Sequence, residues 1–160
     1  MESACGLAAE IVRTFGEVRL RVFGSSMAPA ILPGDLVSIQ RASLEEIAPG
    51  EVVAFLRSGR LFVHRASGRK AAETAASAGE SLLVTRGDRL RHDDAPVTPA
   101  EFLGRVVLLE RGSRTIEMPV PEAHGTIASL LRASDRATYL YLRLAAVFPT
   151  LLFRRAKCQM

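Results

Sequence analysis

The sequence is poor in cysteine and contains no tryptophan. Its two cysteines, Cys5 and Cys158, lie near opposite ends of the 160 residues. Such a pair makes neither a disulfide framework nor a CxxC metal site, and it is compatible with a reducing compartment. His92, Asp93 and Asp94 adjoin, but no second spaced His/Cys pair accompanies them. A glycine-rich phosphate loop is also missing. We therefore expect no metal and no cofactor.

Long apolar runs are missing as well. No stretch reaches the roughly 20 apolar residues that span a bilayer. The segment MESACGLAAEIVRTFG carries Glu2 and no long apolar core, so it is not typical of a signal peptide. The longest approach, 137–153, is interrupted by Arg143 and Pro149. We expect a cytoplasmic or peripherally membrane-associated protein.

Positive charge is concentrated at one end of the sequence. From Arg132 onward there are six Lys/Arg residues and one acid, Asp135, so this segment has a charge of +5. The net charge of the whole sequence is +4. The first 131 residues therefore carry −1. A body without net positive charge is not typical of a nucleic-acid-binding domain. We expect no nucleic-acid partner.

The pattern of apolar residues predicts a mainly β domain with a helical tail. A helix is expected over 2–15, followed by short strands with alternating or buried patterns. The strands are predicted at 17–24, 35–41, 51–57, 60–66 and 81–86, with two more within 102–120. Residues 68–80 contain no large apolar side chain and are interpreted as a solvated loop. Helical patterns at 122–134 and 136–148 complete the chain. We expect a β domain over 1–120 and a helical, basic and hydrophobic tail over 121–160.

Three types of residue in the β domain could perform nucleophilic catalysis. The stretch 24-GSSMAPAILPGDLV-37 places Ser26 in a tight turn, and His64 lies in the predicted strand 60–66. A serine nucleophile needs a base, and the base needs a group that orients it. Asp88, Asp93 and Asp94 cluster in one polar loop and could supply that carboxylate. A structural interpretation stands beside this one, in which the serines cap the turn and His64 is a half-buried strand residue.

Four short motifs in order strengthen the catalytic interpretation. Together 25-SSMAP-29, 34-GD-35, 63-VHR-65 and 85-TRGDRLRHDD-94 resemble the signal peptidase I and LexA-like serine peptidase superfamily. The Val-His-Arg setting is closest to the Ser/His signal peptidases of the endoplasmic-reticulum and archaeal type. The resemblance covers roughly residues 18–110. It implies a coiled β-sheet or partly open barrel and a serine endopeptidase. Such an enzyme would cleave a leader or signal-like peptide, held extended, with small residues near the scissile bond.

The resemblance also implies a role for each matching residue. Ser26 matches the nucleophile and His64 the general base. Asp94 and Asp88 match the two acidic positions; Asp94 is the preferred orienting group, and Asp93 is the fallback. The Ser26 N–H is the natural oxyanion donor, and Ser25 is a candidate for a second one. Met27 either shapes the groove or is an ordinary core methionine.

Some features depart from the family and keep other functions open. Gly24-Ser25 precedes the nucleophile where signal peptidases place Ser-Gly, and Arg89-Leu90 stands where many relatives have Asn-Asn. One alternative is therefore an inactive peptide-binding or scaffolding module. Another is a LexA-type regulator that cleaves itself at Cys5-Gly6. The tail is interpreted as a helix docked on the β domain, as a segment in the membrane interface, or as a surface for a partner protein.

Overall fold

A computed structural model describes residues 4–71, 81–120 and 126–147 of the chain. Residues 1–123 and 124–160 form two compact units, and each is described by itself. Within the described part of the first unit, one α-helix, one short 3-10 helix (Leu44–Glu46) and seven strands are present. The α-helix and the strands are α1 (Ala4–Phe15), β1 (Glu17–Arg21), β2 (Leu36–Arg41), β3 (Val52–Arg57), β4 (Arg60–Ala71), β5 (Ser81–Arg86), β6 (Phe102–Arg111) and β7 (Arg114–Glu117).

The seven strands form a single antiparallel sheet. Its order is β1-β2-β6-β3-β4-β5, with β7 paired to β6 off this path. Strands β3 and β4 make a hairpin in which Arg57 pairs with Arg60 across the turn. The sheet is not closed into a barrel. The prediction of a mainly β fold with an N-terminal helix and C-terminal helices is confirmed.

Strand periodicity explains how the sheet divides its side chains between two cores. Successive side chains of a strand point to opposite faces, and β3 is buried on both of them. Val52 and Ala54 join a cluster that also receives Ala9 and Val12 from α1. Their neighbour Val53 joins a second cluster with Phe102, on the other side of the sheet. The α1 cluster lies beneath the turn that carries Ser26, because Met27 is part of it.

The structure corrects the ends of two predicted strands. Strand β1, predicted over 17–24, ends at Arg21, and residues 22–24 belong to the loop before β2. Strand β4 continues to Ala71, so residues 68–71 are not the solvated loop that we expected. They pair with β5, in which Leu83 lies opposite Arg69. The Arg69 guanidinium also donates to the carbonyl oxygens of Leu44 and Ile47. Backbone pairing and one arginine thus support a strand end that lacks large apolar side chains. The rest of the predicted loop, 72–80, lies outside the described residues.

The second unit contains two helices in its described part. These are α2 (Thr126–Ala133) and α3 (Asp135–Val147), close to the predicted helices. Ser134 lies between them, and its hydroxyl accepts a hydrogen bond from the Ala137 N–H at 3.3 Å. Among the described residues, no helix has the length and apolar character needed to cross a membrane. Residues 148–160, which carry three of the six Lys/Arg residues counted from Arg132 onward, lie outside the described part.

Candidate active site

Ser26 is held in a loop that is fixed at both ends. The loop connects β1 to β2. The Val22 N–H donates to the Asp35 carbonyl oxygen at 2.8 Å, and the Gly34 N–H donates to the Val22 carbonyl oxygen at 2.7 Å. The buried carboxylate of Asp35 accepts from the Leu32 N–H and from Arg111. The sequence signal 34-GD-35 therefore marks the base of the loop. A constrained loop of this kind presents the serine in a fixed place.

His64 lies on β4, which is separated from β1 and β2 by β6 and β3 in the sheet order, and its side chain reaches Ser26. Its side chain is buried, with a residue exposure of 3%. The rings of Phe55 and Phe62 contact the imidazole edge to face, with centroids 6.0 and 5.9 Å away. Aromatic packing restricts the rotation of the ring. In this orientation the His64 Nε2 lies 3.0 Å from the Ser26 Oγ.

Asp94 completes a chain of hydrogen bonds. Its Oδ2 lies 2.6 Å from the His64 Nδ1 and also accepts the Thr85 hydroxyl at 2.7 Å. The Asp94 N–H donates to the Thr85 carbonyl oxygen at 2.8 Å, so the backbone fixes the carboxylate as well. Burial acts to raise the pKa of Asp94, but the hydrogen bonds from His64 and Thr85 and the charge of Arg57 outweigh it. The pKa of Asp94 therefore lies below its ordinary value, and the group is a carboxylate at neutral pH.

The arrangement defines the chemistry that these three side chains can perform. An ionised Asp94 can only accept, so it selects the tautomer with hydrogen on Nδ1. The His64 Nε2 is then the acceptor, and the Ser26 hydroxyl donates to it. The Ser26 N–H donates no hydrogen bond to any residue that the structure describes. It is thus available to a negative oxygen that develops beside Ser26.

The structure places the other acidic candidates elsewhere. Both carboxylate oxygens of Asp88 accept from Arg65, at 2.8 Å each, and both side chains are almost fully buried. His64 makes no hydrogen bond to Asp88, so the preferred assignment, Asp94, is the carboxylate that contacts the imidazole. Asp93 is half exposed and lies 3.8 Å from Arg86. The catalytic role of any of these residues stays a prediction.

The turn 87–90 holds the Ser26 backbone, a role that the sequence motifs do not reveal. The Arg89 N–H donates to the Ser26 carbonyl oxygen at 2.8 Å. Gly87 lies so close that an added Cβ would be 2.8 Å from the same oxygen. Glycine is therefore required by close approach of two backbones. The motif 85-TRGDRLRHDD-94 contained the signal for this contact and for Thr85, but spacing alone does not reveal which backbone the glycine meets.

Ser26 and His64 open onto an apolar cavity that we call the Ser26 groove. Its volume is about 500 Å³, and α1, β1, β2, β4 and the loop 22–35 all contribute to its wall. Met27 is both in the wall and 2% exposed within the α1 cluster, so it combines the two roles left open for it. Gly24 is in the wall, but Ser25 is not. The role of Ser25 as an oxyanion donor stays a prediction.

Comparison with known proteins adds no independent identification. No protein-family model matches the sequence, and no curated protein matches it. The resemblance to signal peptidases therefore rests on the sequence motifs, and the function that it implies stays a hypothesis.

Proposed function

We propose that the protein is a serine endopeptidase in which Ser26 is the nucleophile, His64 the general base and Asp94 the orienting carboxylate. The observation that carries the proposal is the continuous chain from Ser26 Oγ to His64 Nε2, at 3.0 Å, and from His64 Nδ1 to Asp94 Oδ2, at 2.6 Å. It ends beside a groove of about 500 Å³. A hydroxyl, an oriented imidazole and a substrate-sized cavity are the minimum that acyl transfer needs.

The reaction follows from the geometry. Ser26 Oγ attacks the carbonyl carbon of a peptide bond, and its proton passes to His64 Nε2. The carbonyl oxygen becomes an oxyanion beside the Ser26 N–H. The carbon–nitrogen bond breaks as His64 returns the proton to the leaving amine. Water then attacks the acyl-enzyme with His64 again as base, which releases the acid and restores Ser26. Asp94 stabilises the transient imidazolium throughout.

The resemblance supports a leader or signal-like peptide as substrate. Ser26, His64 and Asp94 come from three of its motifs, and the fold brings them into contact across different elements. Binding in an extended conformation is apt, because extended backbone can pair with exposed strand edges. Self-cleavage at Cys5-Gly6 has less support. Both residues lie inside α1, and a helical peptide bond must unwind before it fits an extended groove.

The test uses an active-site probe and a peptide library. We expect an alkyl fluorophosphonate to label the wild-type protein at Ser26, and a leader-peptide library to yield defined products. Ser26→Ala and His64→Ala should abolish both. Ser113→Ala and His92→Ala are matched controls at exposed positions and should behave as wild type. Binding of peptides without labelling or turnover would instead favour the inactive module. Equal amounts of product from the wild type, Ser26→Ala and His64→Ala would contradict the proposal.

A further inference from the structure

Thr85 lies on β5, beside the strand that carries His64. It is completely buried, with an exposure of 0%. In the pairing of β4 with β5, Thr85 stands opposite Ala66. His64 precedes Ala66 by two residues, so the two side chains lie on the same face of β4. His64 and Thr85 are therefore diagonal neighbours on one face of the sheet, close enough for a single side chain to contact both.

The Asp94 side chain makes both contacts. Its Oδ2 accepts the Thr85 hydroxyl at 2.7 Å and lies 2.6 Å from the His64 Nδ1. Asp94 itself belongs to no strand, and its N–H donates to the Thr85 carbonyl oxygen at 2.8 Å. One residue of β5 thus holds this loop residue twice, once through its backbone and once through its side chain.

The two hydrogen bonds fix different parts of Asp94. The backbone bond fixes its place in the loop, and substitution of the Thr85 side chain leaves this bond intact because the acceptor is the Thr85 carbonyl oxygen. The terminal torsion of an aspartate is broad, so the backbone alone does not fix the direction of the carboxylate. A threonine is β-branched and restricted at χ1, so its buried hydroxyl points in a fixed direction. The hydroxyl bond therefore keeps Oδ2 turned toward His64.

The nearby positive charge does not replace this contact. Arg57 of β3 is the arginine whose charge acts on Asp94. Its three guanidinium nitrogens donate to Glu101 and to two backbone carbonyl oxygens. Among the described residues, the side chains that hydrogen-bond to the Asp94 carboxylate are those of His64 and Thr85. The Thr85 hydroxyl is thus the second donor that orients the carboxylate.

We infer that Thr85 is a positioning residue, whose hydroxyl holds the Asp94 carboxylate in the direction in which it accepts the His64 Nδ1–H. The inference rests on the proposed function and goes beyond it, because Thr85 is not in the wall of the Ser26 groove and acts only through Asp94. Without the hydroxyl, the carboxylate turns among several directions, and the tautomer with hydrogen on Nδ1 is less populated. The chemical step then slows, whereas substrate binding stays the same.

Variants of Thr85 test this role kinetically. Thr85→Val has the same shape without the hydroxyl, Thr85→Ser keeps the hydroxyl, and Thr85→Ala is measured if Thr85→Val does not fold. With a peptide that the wild type cleaves, we expect Thr85→Val to lower kcat about tenfold and to leave KM unchanged. Thr85→Ser should restore most of the rate. Thr98→Val is the matched control and should retain kcat, because the Thr98 hydroxyl donates to a different carboxylate, that of Glu101, at 3.1 Å.

Nitrogen-15 NMR of the His64 ring gives a second measurement that needs no substrate. At a pH where the ring is neutral, the shifts of its nitrogens show which one carries the hydrogen. Absence of the signals in His64→Ala assigns them. We expect the wild type, Thr85→Ser and Thr98→Val to hold the hydrogen on Nδ1, whereas Thr85→Val divides it between the two nitrogens. Circular dichroism verifies that each variant is folded.

The outcomes separate this inference from the proposed function. A folded Thr85→Val with wild-type kcat, or with wild-type ring-nitrogen signals, overturns the inference and leaves the peptidase proposal standing. Equal losses in Thr85→Val and Thr85→Ser also contradict it, because the hydroxyl would not be the cause. Where the wild type cleaves nothing, the peptidase proposal fails and the NMR comparison decides alone. A divided signal in Thr85→Val but not in Thr85→Ser then supports the positioning role, and an undivided signal in both contradicts it.

Discussion

Two adjacent residues of β4, His64 and Arg65, are each buried and each paired with an aspartate from the same loop. His64 contacts Asp94, and Arg65 contacts Asp88. Because successive side chains of a strand point to opposite faces, the two pairs lie on opposite sides of the sheet. Only the His64 pair reaches Ser26 and the Ser26 groove. The same loop thus supplies one carboxylate to a candidate site and one to the framework around it.

The two pairs differ in whether the basic side chain keeps a nitrogen that can exchange a hydrogen bond with a reactant. Arg65 binds Asp88 through two nitrogens and gives a third nitrogen to the carbonyl oxygens of Gly50 and Val120. All three guanidinium nitrogens of Arg65 are thus bound to these partners, and none faces a reactant. His64 commits Nδ1 to Asp94 and keeps Nε2 for the Ser26 hydroxyl. A buried pair is therefore useful for catalysis only when one member keeps an atom that faces a reactant, as the His64 Nε2 does.

We expect the largest effect from a substitution that disrupts the His64–Asp94 pair. Asp94→Asn should lower kcat/KM by about 10⁴-fold, because an amide no longer enforces the tautomer that accepts the Ser26 proton. The folded state should persist, since Asn keeps the shape of Asp. Steady-state kinetics and circular dichroism check both statements. Asp93→Asn in the same loop is the control and should retain activity. A variant Asp94→Asn with near wild-type kcat/KM would remove this carboxylate from the mechanism.

The Arg65 pair should respond in the opposite way. Asp88→Asn should lower the free energy of unfolding by about 3–5 kcal/mol, because it leaves a buried guanidinium without its counter-charge. Urea denaturation measures the loss. The double variant Arg65→Met/Asp88→Leu should recover part of it, since it removes both buried charges. Similar stability losses for Asp88→Asn and Asp94→Asn would contradict the contrast between the two pairs.

Gly87→Ala tests how far the framework influences the chemistry. The added Cβ would meet the Ser26 carbonyl oxygen at 2.8 Å, so the turn 87–90 and Ser26 must separate. Displacement of a reacting group by about 1 Å costs on the order of 100-fold in rate, so kcat should fall by about 10–100-fold. Gly68→Ala is the matched control, because nothing lies within 4 Å of its added Cβ. Equal kcat for both variants would show that the turn does not position Ser26.

A third ion pair, Arg57–Glu101, gives the smallest effect and depends on pH. Hydrogen bonding and charge from Arg57, against a smaller opposing effect of burial, lower the pKa of Glu101 from its ordinary 4.5 to about 2. Its stabilising contribution is complete above pH 4.5 and is lost as the pH falls toward 2. The pair is partly exposed, so we expect a loss of only about 1–2 kcal/mol.

Urea denaturation of wild type and Arg57→Met between pH 5 and about 2 measures this contribution. Arg57 also donates to the Ala95 and Pro96 carbonyl oxygens, directly after Asp94. The variant should show a flatter decline of stability with falling pH. If the stability of Arg57→Met declines as steeply with falling pH as that of the wild type, the Arg57–Glu101 pair is not the source of the decline.

Much of the architecture was predictable because its causes are local. Alternation in 17–24 and a buried run in 51–57 predicted strands β1 and β3, and helical periodicity predicted α1. The end of β4 was not predictable from local apolar residues. It is stabilised by pairing with β5, which is distant in sequence, and by hydrogen bonds from the polar side chain of Arg69. Side-chain composition does not show which backbone a segment will pair with.

For the candidate site, the sequence by itself determined a short set of residues: one serine in a constrained turn, one strand histidine and three aspartates in a polar loop. The resemblance gave a preference for Asp94, but the residues themselves could not decide among Asp88, Asp93 and Asp94, which are alike in type and close in position. The tertiary structure decided that Asp94 contacts His64 and that Asp88 contacts Arg65. It also brought Gly87 against Ser26 and α1 against the groove. These are contacts between distant segments, and only the packing of the sheet, the helix and the loops sets their distances.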